Sequence, residues 1–136
     1  MGESVLADAG FIVALLSRDD GHHDWARAQA TLHPRPWRTC EAVLSEAFHV
    51  LGIGGRPALS ELFRRGSLRV AFRLEEHLES VLRLMEKYAS VPMSLADGCL
   101  VRMTETLDDA LILTTDSDFR VYRRHGRHVV PCVIPG

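Results

Sequence analysis

An α/β fold, a three-layer sandwich with a mainly parallel central sheet, is predicted by three observations. Short apolar runs of strand character alternate with longer amphipathic stretches along the chain. Its 136 residues are enough for one domain with a buried core. No repeat, low-complexity tract or linker interrupts the alternation.

"SVLA" (4–7) reads as a strand ending at Asp8, and "GFIVALLSR" (10–18) as a buried helix. After the turn at Asp19, Asp20 and Gly21, residues 22–32 carry Trp25, Ala28 and Leu32 at helical spacing, and Pro34 and Pro36 close that segment. A short strand at 37–39 leads into the amphipathic helix "EAVLSEAFHVL", with Gly52, Gly54 and Gly55 past its end and Pro57 opening another helix to about Arg65. "SLRVAF" (67–72) alternates like a strand. Residues 74–88 repeat Leu74, Leu78, Val81, Leu82 and Met85 on one helical face. Pro92 precedes a helix over 93–107 capped by Ser94; the strand "ALILTT", a helical "DFRVYRR" and a last strand "HVVPCVI" follow. Met93, Met103, Phe48 and Phe72 read as core.

The net charge of −2 excludes a uniformly basic nucleic-acid binder, so such a partner needs local basic patches. Fifteen of the sixteen basic residues are arginine, which suits two-toothed phosphate pairing; GC-rich coding bias explains the excess equally well. Cys40, Cys99 and Cys132 are odd in number and widely spaced, as expected of buried thiols in a reducing compartment. No apolar run is long enough for a membrane span and none follows a basic leader, so a cytoplasmic protein with no membrane contact is expected.

Four carboxylates fall where chemistry is commonly placed. Asp8 and Asp116 stand at the carboxyl ends of predicted strands, the usual edge for ligands in open α/β sheets, though aspartate is also ordinary turn chemistry there. Glu46 has Val43 and Val50 at i−3 and i+4, which puts it at the edge of the buried stripe; a snorkelling boundary glutamate fits the same spacing. Asp97 completes a capping box with Ser94, yet leans toward the packed side through Leu100 and Val101. Carboxylates about 5 Å apart repel by roughly 3 kcal/mol per pair at an effective dielectric near 20. Gathering four therefore calls for a counter-charge, and Mg²⁺ or Mn²⁺ is the natural one for all-oxygen ligation.

Taken together, "VLADAGFIVALLSRDDGHH", "TCEAVLSEAFHVL", "PMSLADGCLVRMTE" and "ILTTDSDF" resemble, in order and spacing, the motifs of PIN-domain ribonucleases, especially the VapC-type toxins of toxin–antitoxin pairs. The resemblance spans nearly the whole chain and implies a single PIN-like domain over 1–136. It implies that Asp8, Glu46, Asp97 and Asp116 are the metal-binding, catalytic acids of a Mg²⁺- or Mn²⁺-dependent endoribonuclease that leaves a 5′-phosphate. Thr115 or Asp118 would support those acids from behind. An RNA substrate, a cognate antitoxin protein and a homodimer are the implied partners. Arg120, Arg123 and Arg124 are candidate phosphate contacts, with a solvated basic helix face as the alternative reading. Two departures stand out: Ala9 where many members carry Thr or Ser, and Gly98 where Ala is usual, the latter weakening its helix by up to about 1 kcal/mol.

"LGIGGRP" follows a helix and lacks GxGxxG spacing, so it reads as a helix end rather than a nucleotide loop. His22, His23 and His33 make no zinc pattern with any cysteine. Two rival functions share the fold class. A non-catalytic RNA- or antitoxin-binding module is disfavoured by acids at all four positions. A phospho-accepting signalling domain is disfavoured because the only lysine, Lys87, lies inside an amphipathic helix rather than after a late strand.

Overall fold

The computed structural model describes residues 3–136. In chain order it contains β1 (Ser4–Ala7), α1 (Ala9–Leu16), α2 (His23–Leu32), β2 (Trp37–Thr39), α3 (Glu41–Arg64), β3 (Leu68–Val70), α4 (Leu74–Lys87), α5 (Leu95–Thr106), β4 (Ala110–Leu113), β5 (Arg123–Arg124), β6 (His128–Val129) and β7 (Cys132–Val133). Five strands form a parallel sheet in the order β3-β2-β1-β4-β7, flanked by helices. The expected α/β class with a mainly parallel central sheet is therefore what the chain adopts. All four residues of β1 are buried, which explains its continuous apolar run: a central parallel strand is covered on both faces.

The winding has one reversal. From β1 the chain steps outward to β2 and β3, then α4 and α5 carry it back past β1 to β4 on the other side. Loops leaving neighbouring strands in opposite directions open a crevice at their carboxyl ends, here between β1 and β4. Those two strands pair in register from Ser4 with Ala110 to Ala7 with Leu113. The Thr39 hydroxyl donates to the Ala7 carbonyl at 2.9 Å, tying β2 to the same end. Behind it, Phe11 packs edge-on against Trp25 and Trp37. Met93, Met103 and Phe72 are buried, and Phe48, half-buried, packs against the core.

Several expected boundaries move. The glycines do not all lie outside the helix: only Gly52, at φ 67°, breaks α3, while Gly54, Gly55 and Pro57 sit within its second limb. Val50, expected in the buried stripe, is 64% exposed, and Ile53 beside the break is 81% exposed. Of the α4 stripe only Val81 is fully covered; Leu78 and Leu82 stay at the surface. "ALILTT" is a strand only as far as Leu113, with the Thr114 amide making a last bond to the Val133 carbonyl. "DFRVYRR" is helical only as a 3-10 turn at Ser117–Arg120, after which Arg123 and Arg124 join an antiparallel pair with β6. The final apolar run splits at Pro131, which has no amide hydrogen; β6 goes to the hairpin and β7 to the main sheet. Gly98 is no mere weak point, since a Cβ there would meet Val81 at 3.1 Å, so its absence lets α4 lie close on α5. Cys40 and Cys99 are buried and Cys132 half-buried, all as free thiols. No helix among the described residues is long and apolar enough to cross a membrane.

Gly52→Ala tests the break in α3. Holding alanine at positive φ is expected to lower stability by about 1 kcal/mol, read as a lower urea midpoint with an unchanged m-value.

Candidate functional site

The β1–β4 crevice is where the predicted acids fall. Asp8 follows β1 directly and is 5% exposed. One of its oxygens caps α1 by accepting from the Ala9 amide at 2.8 Å. The other accepts from the Thr114 hydroxyl at 2.6 Å. That hydroxyl also accepts from the Asp116 amide at 3.0 Å, so one side chain ties together the acids of two neighbouring strands. Asp116 in turn accepts from the Asp118 amide at 2.9 Å through Oδ1. The last two links each span two residues, the reach of Ser/Thr and Asx turns. Asp116 is thus turn chemistry and a corner of the crevice at once.

Asp97 also holds both of its expected positions. Its amide donates to Ser94 Oγ at 3.1 Å, completing the cap of α5. Its carboxylate is 8% exposed and accepts a 2.7 Å bond from the buried Tyr122 hydroxyl through Oδ2. Tyr122 is clamped edge-on between Tyr88 and Phe119. Glu46 is exposed on α3 beside the buried Val43 and Ala47, while Val50, a turn further on, is exposed rather than buried. It lines a groove of about 470 Å³ whose wall includes Gly10, His49 and Thr115. A wider groove of about 630 Å³, lined by Glu41, Phe72 and Leu74, contains none of the four acids.

Electrostatics show that the four side chains share one region. Burial pushes the Asp8 carboxyl up to about 7, against the opposing bonds from Thr114 and the Ala9 amide, with the Asp97 and Glu46 charges adding to the rise. Burial raises Asp97 as well; the Tyr122 bond opposes this and the Asp116 charge reinforces it. Glu46, though largely exposed, is raised by partial desolvation and then by Asp97 and Asp116. Among the described residues no Arg, Lys or His forms an ion pair with any of the four. Burial and the Asp97 bond push the Tyr122 hydroxyl upward, so it remains a donor.

The donor chemistry fits a hard divalent cation: all oxygen, excess negative charge, no competing base. The arrangement is not a closed cage. Among the described residues no three His, Cys, Asp or Glu side chains stand close enough to hold an ion directly. Mg²⁺ commonly keeps several waters and takes only one or two carboxylates. Asp116 accepts the Asp118 amide through Oδ1 alone, and Asp97 accepts from Tyr122 through Oδ2 with Ser94 also close to its carboxylate; Asp97, Asp116 and Glu46 are the side chains able to serve it.

The supporting residues differ from those anticipated. Thr114, not Thr115, holds the acids; the Thr115 hydroxyl packs instead where a Cβ on Gly10 would lie. Asp118 contributes its backbone amide to Asp116. Tyr122 has no sequence signal beyond an aromatic among arginines. Of the three arginines, Arg123 directs Nη1 at the carbonyls of Arg120, Val121 and Tyr122, and Arg124 donates to the Thr104 carbonyl. Arg120 is exposed.

Comparison with known proteins adds one finding. The family model described as PIN domain matches residues 5–124. No curated protein matches the chain.

Asp8 generates a pH prediction. Its folded value near 7 lies above the ordinary 3.8, so the folded state binds the proton more tightly and stability falls as pH rises through that window. Without metal, urea denaturation is expected to give a lower unfolding free energy at about pH 8 than at about pH 5. Asp8→Asn should flatten that difference; a variant that keeps the wild-type pH dependence assigns it to other groups.

Proposed function

This chain belongs to the PIN-domain family, and from that premise we propose that it is a metal-dependent endoribonuclease acting as the toxin of a toxin–antitoxin pair. PIN domains are generally nucleases, and such nucleases generally use divalent metal ions. What supports the reading is that, among Asp8, Glu46, Asp97 and Asp116, the charges of the last three raise neighbouring carboxyls of the set, with no cationic partner among the described residues. A structural role alone leaves that mutual repulsion without a compensating gain.

In this reading Asp97 and Asp116 would hold Mg²⁺ or Mn²⁺. Asp8, both of whose oxygens are engaged, supplies negative charge from beneath. When bound, the ion neutralises the scissile phosphodiester and acidifies a water. Glu46 is the proton acceptor: its oxygens are unengaged among the described residues and its affinity for a proton is raised. Tyr122 fixes the Asp97 carboxylate through Oδ2. The VapC-type motifs add an antitoxin and a second copy as partners, and the exposed Val50 and Ile53 on α3 offer apolar surface to such contacts.

Asp8→Asn and Asp97→Asn are each expected to abolish cleavage of single-stranded RNA in Mn²⁺ with an unchanged circular dichroism spectrum. Cleavage surviving both changes would remove the catalytic assignment. Millimolar Mn²⁺ should raise the Tm of the wild type by relieving carboxylate repulsion, and should do so far less for Asp97→Asn.

A further inference from the structure

Tyr122 leads directly into a feature that the acid cluster does not use. Residues 119–136 contain four arginines and no acidic side chain, against a net charge of −2 for the whole. Most of that charge is carried on and beside the β5–β6 hairpin, a two-stranded unit separate from the main sheet. His125, Gly126, Arg127 and His128 are all exposed at its tip. Among the described residues no carboxylate pairs with Arg120 or Arg127.

The hairpin is held in place rather than left loose. His125 (φ 51°) and Gly126 (φ 82°) both occupy the left-handed region, and the Arg127 amide closes the turn onto the Arg124 carbonyl. Lys87 Nζ, at the end of α4, donates to the Gly126 carbonyl at 3.0 Å. Glu105, near the end of α5, accepts the His125 amide at 2.7 Å. The root is fixed too, by the Arg123 amide on the Tyr88 hydroxyl. Arg123 and Arg124 spend their guanidinium groups on nearby carbonyls, which braces the strand and leaves Arg127 pointing into solvent.

We propose that the β5–β6 hairpin is a fixed arm that holds the sugar-phosphate backbone of single-stranded RNA outside the acid cluster, with Arg127 and Arg120 as its phosphate contacts. The proposal rests on the nuclease reading above and extends it to how substrate is held. The arm runs along α5, from Tyr122 on Asp97 near that helix's start to His125 on Glu105, roughly 12 Å further along the helix axis. RNA that continues past the crevice along α5 therefore meets the arm with its flanking phosphates. The anionic crevice repels a polyanion, and the arm offsets this beside it with positive charge held at low entropic cost. An acidic protein would match the same charge, but it has no reason to meet an arm rooted in the wall of a phosphodiester site.

The test measures binding of a fluorescently labelled single-stranded RNA of about twenty nucleotides by anisotropy in EDTA, which prevents cleavage, between about 50 and 200 mM KCl. Arg127→Ala and Arg120→Ala are each expected to weaken binding several-fold and to reduce the slope of log K against log[salt] by about 0.7. Arg127→Glu should weaken it further, Arg127→Lys should largely restore it, and Arg56→Ala on α3 should leave it at the wild-type value. Wild-type slopes in the Arg127 and Arg120 variants overturn the proposal, as does a wild type that does not bind RNA. Loss of polyglutamate binding with RNA binding intact overturns it in favour of an acidic protein. Cleavage in Mn²⁺ is scored separately: variant-sensitive binding without any cleavage refutes the nuclease reading and supports the arm.

Discussion

The Thr114 hydroxyl joins the two halves of this molecule. It donates to Asp8 at the end of β1 and accepts from the amide of Asp116 just beyond β4, the two strands between which the winding reverses. A hydroxyl is suited to this because it gives one hydrogen and receives another, whereas a carboxylate meeting a carboxylate directly would only repel. The parallel register of β1 and β4 brings Thr114 opposite Asp8. From that joint follow the positions of two acids, the start of α1 and the direction in which the chain leaves β4.

Asp97 reaches the same region from another direction, and Tyr122 performs for it the service that Thr114 performs for Asp8. In each case a buried donor engages one carboxylate oxygen, which lowers the cost of burying charge without cancelling it. Two anions are thereby kept partly desolvated and oriented. Stability on its own is better served by apolar side chains at such positions, as is common for buried ionic groups. The preserved cost is what a site for a cation and a phosphodiester would carry. Tyr122 also couples this site to the surface beyond it, since the next residue opens the basic hairpin.

How far the sequence could be read differs from residue to residue. Asp8, Asp97 and Asp116 announce themselves as ends of apolar runs or as members of a cap, because local spacing decides those positions. Glu46 is harder: its helical neighbours suggested a buried edge, but Val50 proved exposed, since one helix face says nothing about which elements arrive to cover it. Thr114 and Thr115 were indistinguishable by composition. The two-residue step from Thr114 to Asp116 was a usable signal, and it favours Thr114 because the turn bond spans that interval. Arg123 and Arg124 looked like free cations and instead brace a hairpin, because their partners are carbonyls that any sequence possesses.

By itself the sequence determined the alternation of strands and helices, the capped start of α5, the break at Gly52 and the family to which the chain belongs. These depend on periodicity, turn chemistry and short motifs, which act over a few residues. The tertiary structure alone decided that β1 lies beside β4, that the last apolar run divides between a hairpin and the sheet, and that Tyr122 faces Asp97. Those depend on contacts between residues far apart in the chain, and only the packed whole selects among the many pairings that local preferences allow.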